Sequence, residues 1–529
     1  MKDRAQLVTT DPATPADRLR TAVTRLRPQL FLLISVGTVL MALVYVAIAR
    51  WRVPFLRGLL AVPLLGIAIL SLGHYTSFYP WISKHYFNEY EFYHYYIGAK
   101  YAPEIGYTKL YEATIIADEE TKRLYSANSI RDLATGRYLG VPNVLARKDE
   151  IKARFSEERW AEFVKDIEFF KRNLGGGRWS RILRDKGYNA TPIWGLTGGL
   201  ISNAVSTDNV KALRAVALLD PALILLALLA AFWAFGHRAA FFAAAFFGIN
   251  FLTMQSPTMK AAFLRTDWIM LTIVGAALIK KGWYKTAGGV MAYAGLARIF
   301  PVIFAFGIGA RALVELARTR RIPWKHFQFF AAYAIVGGLL VGASVLYAGG
   351  LHQWREFFDK ISYHNNDIST WRVGFRYVFL GTFDLVPRGV DWWAYKAQLQ
   401  EFHAQWAHVW WGIQAIVLLA SVYLARYLDD GEAVLFSFVP VFFLVAPTHY
   451  YYMMLVIPAL FFAVRIDSPY RAAGLIYLIL AGNVGQSYNY VGWRFPLAFD
   501  MSCALLGMVL YMMLITWIEG RLRRPAPDQ

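Results

Sequence analysis

Cysteine is almost absent from this sequence, because Cys503 is the only one in the chain. That scarcity excludes an internal disulfide, a Cys-based zinc site and a redox pair, so any soluble loop must fold through burial and packing alone. Charged residues are also scarce: they make up 17% of the 529 residues, against about 25% in a soluble domain. Hydrophobic residues make up 57%, and the composition therefore predicts an all-α polytopic membrane protein.

Signatures of metals, nucleotides and nucleic acids are missing as well. His94, Glu91 and the acidic residues 118–120 do not form a closed set of metal ligands. The glycine run 175–177 lacks the Lys-Ser/Thr that follows it in a phosphate loop. The net charge of +19 comes largely from basic residues in short loops, where they orient membrane helices. We expect no metal, no cofactor and no nucleic acid, but a lipid bilayer as partner.

Long apolar runs divide the chain. Runs near the 20 residues that cross a bilayer recur about twelve times (11 to 13), which predicts a bundle of that many transmembrane helices. Its two sizeable loops are expected to be extracytoplasmic loops in the re-entrant topology described below. A cleaved signal peptide is not expected, because the first run follows a polar tail and lacks a small-residue cleavage site. The predicted regions are a polar tail (1–28), the first runs (29–75), a large loop (76–211), a transmembrane core (212–348), a second loop (349–407) and C-terminal helices (408–529).

The large loop contains a predicted amphipathic helix. In residues 151–172, bulky apolar side chains recur close to a 3.6-residue period, at Phe155, Trp160, Phe163, Ile167 and Phe170. This period predicts a helix packed on the rest of the loop or lying on the membrane. The glycines at 175–177 are expected to end it.

The basic loops leave two topologies open. Residues 311–325, 465–471 and 521–524 are rich in Lys and Arg and are expected to be cytoplasmic, as are residues 280–285. The run 286–310 between two of these loops contains Arg298 and Pro301, which is typical of a re-entrant pair of half-helices. If it re-enters, the large loop faces out; if it spans once, the loop faces the cytoplasm. The N-terminal tail is interpreted as a cytoplasmic or interfacial lead-in.

Two carboxylates stand in an aromatic stretch, residues 86–100, just after the second apolar run. A carboxylate at a membrane surface can act as general base for an attacking hydroxyl. Glu89 and Glu91 are two residues apart, so that only one of them is expected to face a site. The alternative is that both are interfacial acids paired with Lys84 or Lys100.

Arg298 is the charged residue that lies most clearly inside an apolar run. An arginine inside an apolar run requires a partner or a polar cavity, and its planar fork suits phosphate oxygens. An internal ion pair with Asp220 or Asp267 is the structural alternative. Lys260, Arg265 and Asp267 precede another span, where they fit either phosphate binding or an interfacial salt-bridge cluster equally well.

Four patches carry a resemblance to a known family. They are Glu91 with Tyr95 and residues 106–111; residues 188–192; residues 266–268 before a span that ends in Lys280 and Lys281; and residues 296–301. In this order the chain resembles GT-C glycosyltransferases that use lipid-phosphate-linked sugars, in particular glycosyltransferase family 87. The resemblance covers about residues 89–325. The chain departs from the family in having Glu where Asp is usual, a longer loop, and Arg298 where Lys is common.

The resemblance implies an inverting transferase that moves a sugar, such as the hexose mannose, from polyprenyl phosphate to a glycan, lipid or protein acceptor outside a bacterial inner membrane. It implies Glu91 as the base, with Glu89 as neighbour or substitute. The phosphate would be bound by Arg298, Arg265, Lys260 and His449. Further substrate contacts are expected from Asp267, Tyr95, Tyr188, His364, Asp367 and Arg372. His364, Asp367 and Arg372 also fit a solvated loop, and His449 also fits an interfacial belt.

Two other classes of function remain open. A transporter or lipid flippase would use the intramembrane charges as a path, and it would be expected to show internal repeats, which we do not find between the two halves. A non-catalytic scaffold subunit of a membrane complex would use the long loop and the aromatic content of 16% for partner contacts.

Overall fold

The computed structural model describes residues 15–51, 54–78, 86–254, 259–366, 368–369, 371–381, 391–490 and 497–522. Within these ranges helices predominate, and the one sheet is a short antiparallel pair of strands. The predicted all-α class is therefore confirmed.

The first two apolar runs form an antiparallel pair of helices. The elements are α1 (Pro15–Trp51), α2 (Pro54–Leu59) and α3 (Ala61–Thr76). The ring centroids of Phe31 in α1 and His74 in α3 lie 6.2 Å apart, so the start of the apolar part of α1 lies beside the end of α3. Since α3 leads into the large loop, the chain starts α1 at the same end of the bundle as that loop. Residues 15–28 thus lie at the same end as the large loop, so an outward-facing loop excludes a cytoplasmic tail and leaves the interfacial interpretation.

The large loop folds into a helical region with its own aromatic core. Its elements are α4 (Glu89–Phe92), a π-helical turn (Tyr93–Ile97), α5 (Gly98–Lys100), α6 (Ala102–Ile105), α7 (Leu110–Glu120), β1 (Ser129–Arg131), β2 (Tyr138–Gly140), α8 (Val141–Leu145), α9 (Lys148–Lys152), α10 (Glu157–Ile182) and α11 (Pro192–Ala204). The predicted amphipathic helix is α10, which buries Trp160, Phe163, Ile167 and Phe170 within the loop. Gly175 has a non-helical backbone (φ 68°, ψ 164°) and divides α10 into two helices at a kink, so the amphipathic helix ends at these glycines as expected.

A bundle of apolar helices follows the large loop. It contains α12 (Val210–Ala217), α13 (Leu219–Phe235), α14 (His237–Phe247), α15 (Phe251–Met254), α16 (Asp267–Lys280), α17 (Tyr284–Leu296), a 3-10 helix (Phe300–Ala305), α18 (Phe306–Thr319) and α19 (Trp324–Tyr347). The core is built where α17 packs on α16 and α19, and where α14 packs on α3.

The run 286–310 turns back within the bundle. Lys280 at the end of α16 contacts Asp429 (2.7 Å), and Arg311 in α18 contacts Asp430 (2.9 Å). The turn between α17 and the 3-10 helix lies at the other end, where Arg298 donates to the carbonyl of Leu264 (3.3 Å). This geometry brings the two basic loops to one end, as the re-entrant alternative requires, but the returning limb Phe300–Thr319 is a 20-residue apolar segment and not a short half-helix. We call the end at Lys280, Arg311 and Asp430 the basic end, and the opposite one the loop end.

The second loop packs on the first at the loop end. Its helices are α20 (His352–Asn366), α21 (Phe375–Leu380) and α22 (Trp392–Gln405). Lys360 in α20 is buried, and its ammonium group donates to the backbone carbonyls of Tyr107 (3.2 Å) and Tyr188 (2.8 Å). The remaining elements are α23 (Ala407–Ala425), α24 (Asp430–Phe436), α25 (Phe438–Leu444), a 3-10 helix (His449–Leu455), α26 (Val456–Ala463), α27 (Pro469–Tyr490) and α28 (Leu497–Leu522).

Six segments of the described chain are helical, long and apolar enough to cross a membrane. They are Arg25–Trp51, Val210–Phe235, Phe300–Thr319, Trp324–Tyr347, Ala407–Ala425 and Phe499–Leu522. Shorter apolar helices are Ala61–Thr76 and His449–Ala463. Length and apolar composition are what a bilayer requires of a spanning helix.

Candidate functional site

Glu91 is positioned by the cap of a short helix. The Asn88 side chain caps α4 by accepting from the backbone N–H of Glu91 (3.3 Å). Asn88 also donates its own backbone N–H to Ala261 (2.8 Å) and its side-chain amide to the carbonyl of Lys260 (3.3 Å). The start of α4 is thus fixed to the segment before α16. A π-helical turn follows directly, and such turns are frequent at functional sites.

Glu89 and Glu91, the two carboxylates of the aromatic stretch, lie in different surroundings. Glu91 is 6% exposed, and its Oε2 lies 3.2 Å from Nε of Arg265. Glu89 is partly exposed and pairs with Arg178 (3.5 Å). Lys100 is not the partner of Glu91, because its ammonium group binds Asp166 (2.7 Å), while Lys84 lies outside the described residues.

The backbone around Arg265 is strained and held by Asp220. Leu264 adopts a positive φ of 48°, which is costly for a residue with a branched side chain. The buried Asp220 carboxylate accepts from the backbone N–H groups of Arg265 and Thr266, both at 2.9 Å, and from the Thr266 hydroxyl at 2.6 Å. Asp220 therefore fixes the peptide from which the Arg265 side chain starts.

Arg298 lies at the turn that follows α17. Its guanidinium group donates to the carbonyls of Ala297 (3.0 Å) and Leu264 (3.3 Å). The next residue, Ile299, has a positive φ of 65°, so the turn is strained where it carries the charge. Among the described residues, Arg298 makes no ion pair with Asp220 or Asp267, and the alternative of a structural ion pair is not the arrangement seen. Asp267 instead accepts from the hydroxyl of Tyr293 (3.0 Å).

Aromatic rings enclose both guanidinium groups. The Arg265 guanidinium lies 4.0 Å from the ring centroid of Tyr95 and 5.7 Å from that of Tyr450. The Arg298 guanidinium lies 5.1 Å from Trp194 and 5.8 Å from the same Tyr95 ring. Tyr95 therefore stands between the two arginines, and cation–π contacts hold both of them in place.

Several buried polar atoms of this cluster have no hydrogen-bond partner among the described residues. They are Glu91 Oε2, Arg265 Nε and Nη1, Arg298 Nε and Asp267 Oδ1. Although Glu91 and Arg265 are close enough for an ion pair, their atoms are not aligned for a hydrogen bond. Buried polar groups in proteins are nearly always satisfied. A cluster of unused guanidinium donors next to a carboxylate can bind an anion and accept a proton.

The surroundings of Glu91 change its acidity. Burial raises the pKa of Glu91 to about 7; Arg265 and Arg298 act to lower the pKa and Asp185 to raise it. A general base works best when its pKa lies near the operating pH. Glu91 is thus suited to accept a proton at neutral pH.

Tyr188, Lys260 and Arg372, which were also expected at the site, have different surroundings. Tyr188 belongs to the aromatic wall, with its ring centroid 5.8 Å from that of Tyr95. Lys260 lies over the ring of Tyr75 (5.5 Å), on the α3 side. The backbone of Arg372 pairs with that of Thr448.

His449 links the second loop to the site. Its backbone N–H donates to the Trp371 carbonyl (2.7 Å), and its ring centroid lies 5.7 Å from that of Tyr450, whose ring faces Arg265. Asp367 lies outside the described residues, as does the side chain of His364.

Sequence reasoning missed Trp194, Asp220 as the anchor of Arg265, and Lys360. Trp194 stands two residues after the motif at 188–192, and its indole N–H donates to the Leu264 carbonyl (3.1 Å). An aromatic residue two positions after that motif was the available signal. No comparable signal marked Lys360, which lies in a polar helix of the second loop.

Comparison with known proteins identifies no relative: the chain matches no family model, no curated protein and no solved structure.

Proposed function

We propose that the protein is an integral-membrane, inverting glycosyltransferase that transfers a sugar from a polyprenyl-phosphate donor to an acceptor hydroxyl. The observation that supports this most is the buried Glu91 carboxylate beside Arg265, with Arg298 across the Tyr95 ring. A base, two cations for a phosphate and aromatic walls for a sugar are the groups that such a reaction needs.

The proposed step is a single in-line displacement. The acceptor oxygen forms a bond to the anomeric carbon of the donor sugar, and Glu91 takes the proton of that hydroxyl. The bond from the anomeric carbon to the phosphate oxygen breaks, and its electron pair leaves with the polyprenyl phosphate. Arg298 stabilises the phosphate charge, because its guanidinium group is not paired with any carboxylate in the described part of the chain. Arg265 mainly holds and tunes Glu91.

The proposed architecture is a GT-C-like bundle of about twelve spans. In it the two shorter apolar helices and further helices of the bundle, among them α14, α16, α17 and α27, cross the membrane together with the six long segments. Lys and Arg concentrate in cytoplasmic loops, and we therefore assign the basic end to the cytoplasm and the loop end to the exterior. The protein would belong to the cell envelope, in the inner membrane of a bacterium, with Glu91 facing the periplasm or exterior.

The direct test is transfer of radiolabel from polyprenyl-phosphate sugars, including polyprenyl-phosphate mannose, to membrane acceptors by the purified protein. Glu91→Gln should reduce the rate by about 10²–10⁴-fold, the range that general acid–base catalysis supplies. Glu89→Gln is the matched control and should retain activity, because Glu89 pairs with Arg178 away from the cluster. Equal activity of both variants would remove Glu91 from the mechanism. Movement of the intact lipid across vesicles without transfer would favour a flippase.

A further inference from the structure

A cavity of about 220 Å³ opens at the basic end of the bundle. Its lining comes from helices that are distant in sequence: Ile279, Lys280, Tyr284, Arg311, Lys325, Asp429, Asp430 and Gly431. The volume is many times the roughly 10–15 Å³ that one water molecule requires on this scale. The cavity lies at the opposite end from Glu91, so a ligand bound there would be separate from the proposed reaction.

The cationic side chains of the cavity lie on three separate elements. Lys280 ends α16, Arg311 belongs to α18, and Lys325 begins α19. Their side chains remain 35%, 20% and 41% exposed, so solvent or a ligand can reach them. With the two aspartates, the lining carries one net positive charge.

Three carboxylates hold these cations without using all their donors. Lys280 pairs with Asp429 (2.7 Å), and Lys325 lies 3.5 Å from Glu315. The Asp430 carboxylate accepts from Arg311 (2.9 Å), Lys325 (3.0 Å), Tyr284 (2.5 Å) and His326 (3.0 Å). Each lysine ammonium has three N–H donors and each guanidinium has five. Most of the donors of Lys280 and Arg311 are therefore not used by a carboxylate among the described residues. The cations are held in position with hydrogen-bonding capacity left over.

Exposed tryptophans near the cavity indicate where along the membrane normal it lies. Trp283, which stands between Lys280 and Tyr284, is 56% exposed, and Trp324, which precedes Lys325, is 63% exposed. The ring centroid of Trp283 lies 5.6 Å from that of Trp233, another exposed tryptophan. Exposed tryptophans concentrate where membrane helices meet the lipid headgroups. The cavity thus lies at the level of the lipid phosphates.

From these observations we propose that the cavity binds a phosphate-bearing anion through Lys280, Arg311 and Lys325. An anionic phospholipid headgroup and a free phosphate share this chemistry. Basic pockets between membrane helices on the cytoplasmic side suit such headgroups. Further exposed basic residues at this end add to the attraction: Lys281, Lys285, Arg318, Arg320 and Arg321.

The test is native mass spectrometry of the full-length protein in detergent, with phosphatidylglycerol and phosphatidylcholine of identical acyl chains as probes. The wild-type protein should retain phosphatidylglycerol in preference to phosphatidylcholine. The double variant Lys280→Gln, Lys325→Gln should lose about 25-fold of that preference, roughly fivefold for each charge removed near the surface. The matched control, Arg318→Gln with Arg321→Gln, removes two exposed charges of the same end that do not line the cavity, and should keep the preference.

Competition with inorganic phosphate shows whether the ligand is a lipid headgroup or free phosphate. This experiment uses only the wild-type protein, so its result does not depend on how the variants fold. Displacement of phosphatidylglycerol by phosphate, or binding of phosphate without any lipid preference, identifies the free anion as a ligand of the cavity. Phosphatidylglycerol that resists phosphate identifies the lipid. Equal retention of both lipids without phosphate binding overturns the proposal, and so does equal loss of preference in the double variant and the control.

Discussion

Nε of Arg265 lies 3.2 Å from Oε2 of Glu91, and both side chains are buried. Burial alone would favour the neutral acid, while the neighbouring guanidinium favours the carboxylate. The two effects together give Glu91 a pKa of about 7. A carboxylate in this position exchanges a proton near neutral pH, as a general base must.

The pH dependence of transfer follows from this pair. Glu91 must be ionised to accept the proton of the acceptor hydroxyl, so kcat/KM should rise as pH rises through about 7 and then level off. Arg265 acts to lower that pKa, and Arg265→Gln should therefore move the rise to higher pH. Arg178→Gln, next to Glu89, is the control and should leave the profile in place. A profile that is the same in all three proteins contradicts the assignment of Glu91.

Arg298 is expected to act on the donor. Replacing a buried charged hydrogen-bond donor costs about 1.5–3 kcal/mol, so Arg298→Ala should raise the KM for a polyprenyl-phosphate sugar by roughly 10–150-fold. Arg298→Lys keeps the charge without the planar fork and should recover part of this loss. Initial rates against donor concentration measure both variants. Unchanged donor saturation in Arg298→Ala would remove this residue from phosphate binding.

The features that could be predicted from the sequence are those that depend on residues close together in the chain. The apolar face of α10 follows from its 3.6-residue period, and the different surroundings of Glu89 and Glu91 follow from their spacing. The turn at Arg298 follows from the difficulty of placing a charge and a proline inside an apolar helix.

The remaining features of the site depend on contacts between distant segments. Asp220 binds the backbone of Arg265 and Thr266, and Lys360 joins the two loops through carbonyls of Tyr107 and Tyr188. Neither residue differs locally from an ordinary interfacial charge. Their roles arise from how the helices pack, which hydropathy and periodicity do not encode.

The orientation of the loop end can be measured by cysteine labelling. Cys503 is first replaced by Ser, and single cysteines are then introduced at the exposed Arg181 of the loop end and the exposed Lys281 of the basic end. A membrane-impermeant maleimide should label Arg181→Cys in intact spheroplasts and Lys281→Cys only after permeabilisation. The reverse pattern would place Glu91 in the cytoplasm and would contradict an extracytoplasmic reaction.

Close packing of α18 on α24 predicts opposite effects for two glycines of one helix. A Cβ at Gly307 would lie 2.0 Å from the carbonyl oxygen of Ala433, whereas a Cβ at Gly309 would lie 3.7 Å from the Phe330 ring. Alanine is favoured over glycine in a helix by about 1 kcal/mol, and overpacking costs about 1–3 kcal/mol. Thermal unfolding should therefore show a lower Tm for Gly307→Ala and an unchanged or higher Tm for Gly309→Ala. Because both variants carry the same helix preference, equal shifts would mean that the two helices are not in backbone contact at Gly307.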